Sequence, residues 1–256
     1  MIANYHTHTW RCNHAEGNEK QYVENALKAG LEILGFADHT PYIFVGNYYS
    51  NFRMTMEQLP GYVDTVLRLR GEYADRIRIP LGLEAEYYPK HFEELLSRLR
   101  DYPLDYLILG QHFVGNEYDA PYSGIAFRDE NLLRQYVLQS CDAMNTGLFT
   151  YFAHPVLIHF IGDEKTFRHH MRDICREAKN CGVPLEFNLL GLAGGRHYPT
   201  KAFWELAAEE GCAVILGRDA HSPEALLDEK TEKRALEILA GLGIRPMERT
   251  ELKPIR

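Results

Sequence analysis

The chain opens on a spacing that can hold an ion. His6-Thr7-His8 places two imidazoles two residues apart, and residues i and i+2 of a strand point to one face. His14 follows in a polar loop, and the same spacing returns late in the chain in Asp219-Ala220-His221. Between them, His39 (after Asp38), Glu84, His112 (in Gly110-Gln111-His112) and His154 each end or follow a short apolar run. Taken singly, any one of these is as readily a packed or hydrogen-bonded histidine. Together, seven histidines with Glu84 and Asp219 at the same kind of position predict a metal centre. Nine nitrogen and oxygen donors exceed the needs of one tetrahedral ion, so two to three divalent ions are expected. Glu84 is the natural bridge, since one carboxylate can give an oxygen to each of two ions. A donor set without thiolate suits zinc, manganese or iron.

These residues need elements to position them. Apolar runs at Ile2–His6, Glu32–Ala37, Ile77–Glu84, Tyr106–Leu109, Leu148–Ala153, Pro184–Asn188 and Ala213–Gly217 predict strands. Apolar residues at three- and four-residue spacing predict helices over 18–30, 56–74, 90–100, 129–145, 165–181, 199–210 and 229–241. Gly30, Gly71, Gly182, Gly211 and Gly241 read as their C-terminal stops. Seven successive βα units predict an α/β fold with a parallel sheet. A closed barrel and an open doubly wound sheet both fit that alternation. The metal-type residues cluster at the C-terminal ends of the runs, and in a barrel those ends form one ring facing one pocket. A seven-stranded (β/α) barrel is therefore expected, with the metal centre at the C-terminal ends of its strands.

The 256 residues are 45% hydrophobic and 25% charged, with no linker, repeat or low-complexity stretch, so one domain over 1–256 is expected. A net charge of −8 argues against a long nucleic-acid partner, which needs a cationic surface. No apolar run has the length of a membrane span, and the first residues, without a basic and then an apolar stretch, lead to no expectation of a signal peptide. Cys12, Cys141, Cys175, Cys181 and Cys212 are scattered and odd in number, which points to reduced thiols and a cytoplasmic protein. Cys12 stands among the first donors but reads as a packed small residue.

As an ordered set, His6-x-His8 with His14, Asp38-His39, Gly82-Leu83-Glu84, Gly110-Gln111-His112-Phe113, Ala153-His154-Pro155 and Gly217-Arg218-Asp219-Ala220-His221-Ser222 resembles the polymerase and histidinol phosphatase (PHP) family. Arg53-Met54 and the helix after them resemble its histidinol-phosphate phosphatase branch. The resemblance implies a distorted (β/α)7 TIM-like barrel and three metal ions. It implies one ion on His6, His8, Glu84 and Asp219, a second on His14, His39 and His221, and a third on Glu84, His112 and His154. It also implies metal-dependent hydrolysis of a small phosphorylated metabolite, in the first instance L-histidinol phosphate, as in histidine biosynthesis. Bound cations would neutralise the phosphoryl charge and acidify a water. Glu84, Asp219 and His221 are the expected catalytic residues, with Asp219 or a nearby histidine moving the leaving-group proton.

Phosphate-holding residues are less clearly marked. Arg53, Arg128, Arg196 and Arg218 are expected on the catalytic side, Arg218 foremost because it lies inside the last motif. Asn188 is expected to touch substrate from the end of the sixth strand. The aromatic stretch Thr40 to Met54 (Tyr42, Phe44, Tyr48, Tyr49, Phe52), with Trp10, is expected either to wall the pocket or to pack on the rim. Three positions depart from the branch: Ala193 and His159 where arginines are expected, and Arg218 where a small residue is usual. The expected alternatives are a family phosphatase acting on a mononucleotide, sugar phosphate or phosphotyrosine, and, further off, a metal-holding scaffold without catalysis.

Overall fold

In a computed structural model, which describes all residues except Val45, Asn47 and Arg256, the chain alternates strands and helices. In chain order they are β1 (Ala3–Asn4), α1 (Glu19–Lys28), β2 (Ile33–Leu34), β3 (Phe36–His39), α2 (Leu59–Glu72), β4 (Leu81–Ala85) and α3 (Phe92–Leu99). Then come β5 (Tyr106–Leu109), α4 (Glu130–Asn145), β6 (Phe149–Phe152), α5 (Glu164–Asn180), β7 (Leu185–Asn188), α6 (Leu189–Ala193), α7 (Lys201–Glu210), β8 (Val214–Gly217) and α8 (Glu229–Gly241). β3 to β8 form a parallel sheet in sequential order, and β1 and β2 form a parallel pair. The α/β reading with a parallel sheet is borne out.

The first expected strand is shorter than its apolar run. Beyond Asn4 the backbone is held by single bonds: Gly35 N donates to Asn4 O (2.7 Å) and Ala37 N to Thr7 O (2.9 Å). On its other side, His8 N donates to Ala220 O (2.9 Å) and Ala220 N to His6 O (3.1 Å). The second expected strand breaks at Gly35 into β2 and β3. The cause is Tyr106, whose hydroxyl reaches between the strands and shares its one proton between Tyr5 O (2.7 Å) and Phe36 O (3.0 Å). A Cβ at Gly35 would lie 2.3 Å from that hydroxyl, so the intrusion requires glycine. β4 starts at Leu81 rather than at Ile77, directly after Pro80, which has no N–H to give a ladder.

Each strand is buried on both faces, as in a covered parallel sheet. Tyr106 and Ile108, with Tyr5, Tyr151, Ala153 and Ile215, form a small inner cluster. Leu107, Leu109 and Phe152 point the other way, into the main core beneath the helices. Gly30, Gly182 and Gly211 end their helices with positive φ as expected. Gly71 and Gly241 instead lie within α2 and α8. No described helix is long and apolar enough to cross a membrane.

Candidate metal centre

A cavity of about 700 Å³ opens at the C-terminal ends of the strands, and His14, His39, Glu84, His112, His154, Asp219 and His221 line it. His6 and His8 lie fully buried beneath. The nine expected donors therefore meet, although they come from six separate segments. His6 Nε2 stands 3.1 Å from His8 Nε2, and His14 Nε2 stands 3.0 Å from His221 Nε2. Glu84 lies between the groups. Its Oε2 faces His39 Nδ1 (3.0 Å), His8 Nε2 (3.5 Å) and His6 Nε2 (3.6 Å), and its Oε1 faces His154 Nε2 (2.8 Å) and His112 Nε2 (3.6 Å). Asp219 Oδ1 is 3.3 Å from His8 Nε2 and 3.5 Å from His6 Nε2.

The outer ring nitrogens show why these distances suit an ion. His6 Nδ1 is held by Glu186 (2.8 Å), His8 Nδ1 by Asp38 (3.4 Å) and His112 Nδ1 by Glu86 (2.8 Å). His14 Nδ1 meets Cys12 O (2.7 Å) and His221 Nδ1 meets Asp219 O (3.0 Å). Each such partner takes the Nδ1 proton and leaves an Nε2 lone pair aimed inward, the usual orientation of a ligating histidine. Lone pairs about 3 Å apart repel unless a proton or cation sits between them. Zn–N bonds of about 2.0–2.1 Å in a tetrahedron place two nitrogens near this separation. His154 Nδ1 is buried without a hydrogen-bond partner, and His39 Nδ1 and Glu84 Oε2, although 3.0 Å apart, are not aligned for a hydrogen bond. The residues thus fit divalent cations by geometry and by donor type. His14, His39 and His221 offer donors within 4.8 Å of one another, as do His6, His8 and Asp219.

The fields inside the cluster are strong. Burial opposes charge on His6, but Asp219, Glu186 and Glu84 outweigh it and hold the ring well above the usual range. Burial is likewise overcome at His8, pushed up to about 9 by Asp219 and Asp38. Burial wins at His221, pulled down to about 3 with the help of His8, and His39 falls well below its usual value for the same two reasons. Burial favours the neutral acids of Glu84 and Asp219, yet the surrounding imidazoles keep both carboxyls well below the usual range. Negative carboxylates ringed by a few shared protons form a site prepared for positive charge.

Backbone and glycines are fitted to this purpose. His154 (φ 33°) and Asp219 (φ 49°) adopt left-handed conformations that L-residues rarely take, a cost found chiefly at functional sites. His154 is held there by its N–H to Glu186 Oε2 (3.0 Å). A Cβ at Gly110 would lie 2.0 Å from Glu84 Oε1, and one at Gly217 would lie 1.7 Å from Glu186 Oε1. Both motif glycines make room for a carboxylate.

The expected substrate residues divide. Arg196 lines the cavity, and its Nη1 donates to Tyr198 Oη (2.8 Å) beside Tyr122. Arg218 does not face the cavity, which corrects its expected role. Its guanidinium turns outward to Asp228 O (2.6 Å), Ala225 O (3.5 Å) and the Glu232 carboxylate. Arg53 is also corrected: it is buried against Glu86 and Glu117. Arg128 is exposed outside the lining. Asn188 is taken up internally, with Nδ2 on Asp219 Oδ2 (3.1 Å) and Glu186 Oε2 (2.9 Å) and Oδ1 capping α6 at Gly191 N (2.8 Å). It orients Asp219 and is not free for a substrate.

The aromatic stretch does both things expected of it. Phe52 lines the cavity, stacked on Phe113 at 5.8 Å, while Tyr42 and Phe44 pack into the core. Val45 and Asn47 of this stretch lie outside the described residues. Trp10 is half-exposed under Arg11 and is not part of the cavity wall. Cys12 is buried, and burial raises its thiol far above the usual range. Glu186 and Glu86 were not picked out by sequence reasoning. A signal existed for each: Glu186 is a charge inside the apolar run Leu185–Phe187, and Glu86 lies two residues after Glu84.

The PHP domain family model matches residues 4–189. The chain belongs to this family. The match ends before Asp219 and His221, so the placement of those two in this PHP chain rests on the distances above. A probable histidinol-phosphatase of Deinococcus radiodurans is 31% identical over 233 residues, covering 87% of each chain. A probable histidinol-phosphatase of Schizosaccharomyces pombe is 26% identical over 255 residues, covering 87% of this chain and 81% of its own. The crystal structure of histidinol phosphate phosphatase from Lactococcus lactis, complexed with zinc, L-histidinol and phosphate, has a TM-score of 0.75 at 20% identity. It covers 98% of this chain and 97% of its own, a likeness of fold.

Proposed function

We propose that this chain is a metal-dependent phosphatase that hydrolyses L-histidinol phosphate to L-histidinol and phosphate. The observation that carries the reading is the convergence of nine donors on one cavity that also presents an arginine fork, in a chain akin to histidinol-phosphatases over most of its length. Residues 1–256 form one domain, and its sheet closes into a distorted (β/α)7 barrel. The backbone bonds of residues 4–8 to both Ala37 and Ala220 support that closure. Two to three divalent ions would be held by His6, His8, Glu84 and Asp219; by His14, His39 and His221; and by Glu84, His112 and His154. Zinc, manganese or iron suits the donors, and zinc is the ion in the Lactococcus structure. Five unpaired thiols accord with a cytoplasmic enzyme.

When bound, the cations supply Lewis acidity to the phosphoryl group and an acidified water. The protein supplies position. Arg196, with Tyr198 fixing its fork, binds the phosphoryl oxygens. The Phe52–Phe113 pair offers a flat wall for an imidazole ring, with Asn51 beside it. Asp219 lines the cavity, and its carboxylate is the group placed to take a proton from the attacking water and return it to the leaving alkoxide. His221 lines the cavity beside it and stays neutral. Glu84 keeps the donor groups together.

The test is steady-state hydrolysis by zinc- or manganese-loaded protein of histidinol phosphate, mononucleotides, sugar phosphates and phosphotyrosine, with Glu84→Ala as control. Histidinol phosphate is expected to exceed the others in kcat/KM by orders of magnitude. A different ester at the top would move the chain to another substrate on the same centre, and Ala193, exposed at the end of α6, marks where that change would have begun. No turnover of any ester would end the phosphatase reading.

A further inference from the structure

Arg53 is buried among carboxylates with its guanidinium fully committed. Nη1 and Nη2 donate to Glu86 Oε2 (3.2 Å) and Oε1 (2.9 Å), and Nη1 also donates to Thr40 O (2.8 Å). Nε donates to Glu117 Oε2 (3.0 Å) and Ser50 Oγ (3.1 Å), and Nη2 reaches the same Glu117 oxygen. All five N–H groups of the fork therefore have partners. Glu86 is fully buried, and its Oε1, which takes Arg53 Nη2, also takes His112 Nδ1 (2.8 Å). A continuous series thus runs from Arg53 through Glu86 to His112. Its other end is the pocket wall: Phe52 precedes Arg53, lies under its guanidinium at 4.3 Å, and meets the rings of His39 (5.2 Å) and His112 (5.8 Å).

We infer that Arg53 is a positioning residue that fixes Glu86, so that His112 turns Nε2 towards the Glu84–His154 metal position, while the same guanidinium sets Phe52 on the substrate wall. The inference rests on the metal-centre reading above. Two buried carboxylates against one guanidinium leave a negative charge, and the His112 N–H is the group that meets it. Without Arg53, two carboxylates would face one another in a dry interior, and Glu86 would lose the bonds that set its rotamer. Lysine cannot replace the function fully, because a single ammonium cannot span Glu86 and Glu117 with the geometry of the fork.

The experiment is a zinc titration of the metal-free protein against a chromophoric chelator, with thermal unfolding of each variant alongside. Arg53→Met and Glu86→Gln are each expected to weaken one zinc equivalent by roughly 10- to 100-fold and leave the tighter zinc in place. The double variant is expected to be no weaker than the worse single one, because the two residues act in series. Arg53→Lys is expected to recover part of the loss. The KM for substrate is expected to rise in Arg53→Met even at saturating zinc, through Phe52. A wild-type zinc titration in a folded Arg53→Met protein would overturn the inference, as would equal weakening of every equivalent. If Arg53→Met does not fold, Arg53→Lys decides: selective loss of one equivalent supports the inference and an unchanged titration overturns it. A parent protein that binds zinc but hydrolyses no ester would remove the proposed substrate and leave this inference standing. A parent protein that binds no zinc would remove both.

Discussion

On the cavity floor, His6, His8 and His112 each present a ring whose Nδ1 is already taken by a buried carboxylate. On the wall, Arg196 extends from an exposed position with one tyrosine hydroxyl as its side-chain partner. The floor is over-determined: the supporting carboxylates have two or more partners, Gly217 leaves room for Glu186, and Gly110 leaves room for Glu84. The wall is a single fork among aromatic surfaces. On the proposed function, the contrast teaches that buried hydrogen bonds go to holding donors for an ion, while substrate contact is left to fewer, more replaceable groups. A centre that must gather like-type donors against mutual repulsion needs such external support, whereas a phosphoryl group brings its own charge to an arginine.

The contrast can be broken at several points. Glu84→Ala removes the group between all the donor sets. It is expected to lower kcat/KM by about three to four orders of magnitude, the scale of losing several kcal/mol of cationic stabilisation. A loss below tenfold would show that Glu84 is peripheral. Glu186→Gln keeps the shape of the floor but removes the charge behind His6, and a 10- to 100-fold fall in zinc affinity is expected by chelator titration. An unchanged affinity would mean that the floor does not depend on its carboxylate supports. Arg196→Ala is expected to cost about tenfold in kcat/KM, chiefly in KM, because the side chain is exposed and solvent screens its charge. Zinc content should stay at the wild-type level; a loss of zinc would erase the distinction between wall and floor.

The smallest effect is a slope with pH. In the metal-free protein His8 is pushed up to about 9. A ring whose folded pKa is raised above 6.5 contributes stability that is complete below pH 6.5 and is lost as pH rises through about 9. The metal-free protein should therefore lose stability across that window. Zinc must displace the same proton, so its apparent affinity should rise about tenfold per pH unit for each proton released. The stabilisation conferred by zinc, read as a Tm increment, should grow from about pH 6.5 to about pH 9. A flat increment would show that His8 is already neutral in the metal-free protein.

Local order accounts for what could be read before folding. The i, i+2 spacings of His6/His8 and Asp219/His221 and the apolar runs before each donor predicted a parallel α/β fold with its chemistry at the strand ends. Periods of two and of three to four are properties of neighbouring residues, so they survive in one dimension. The breaks did not. Gly35 reads as part of one strand, and only Tyr106, 70 residues beyond Phe36, splits it. Arginines were the hardest to place, because a loop position fixes which side of the fold a residue is on but not where a long side chain points. Arg218, inside the last motif, turns away to Asp228 and Glu232, while Arg196, three residues past an alanine where an arginine was expected, reaches the cavity.

The sequence by itself determined which residue types stand at the strand ends and therefore what kind of centre the chain can build. Tertiary structure alone decided which partners hold them. His6 and Glu186 are 180 residues apart and carry no mutual spacing signal, yet they meet at 2.8 Å. The physical reason is that a hydrogen bond depends on distance in space, and distance in space between remote residues is set by how the whole sheet and its helices pack.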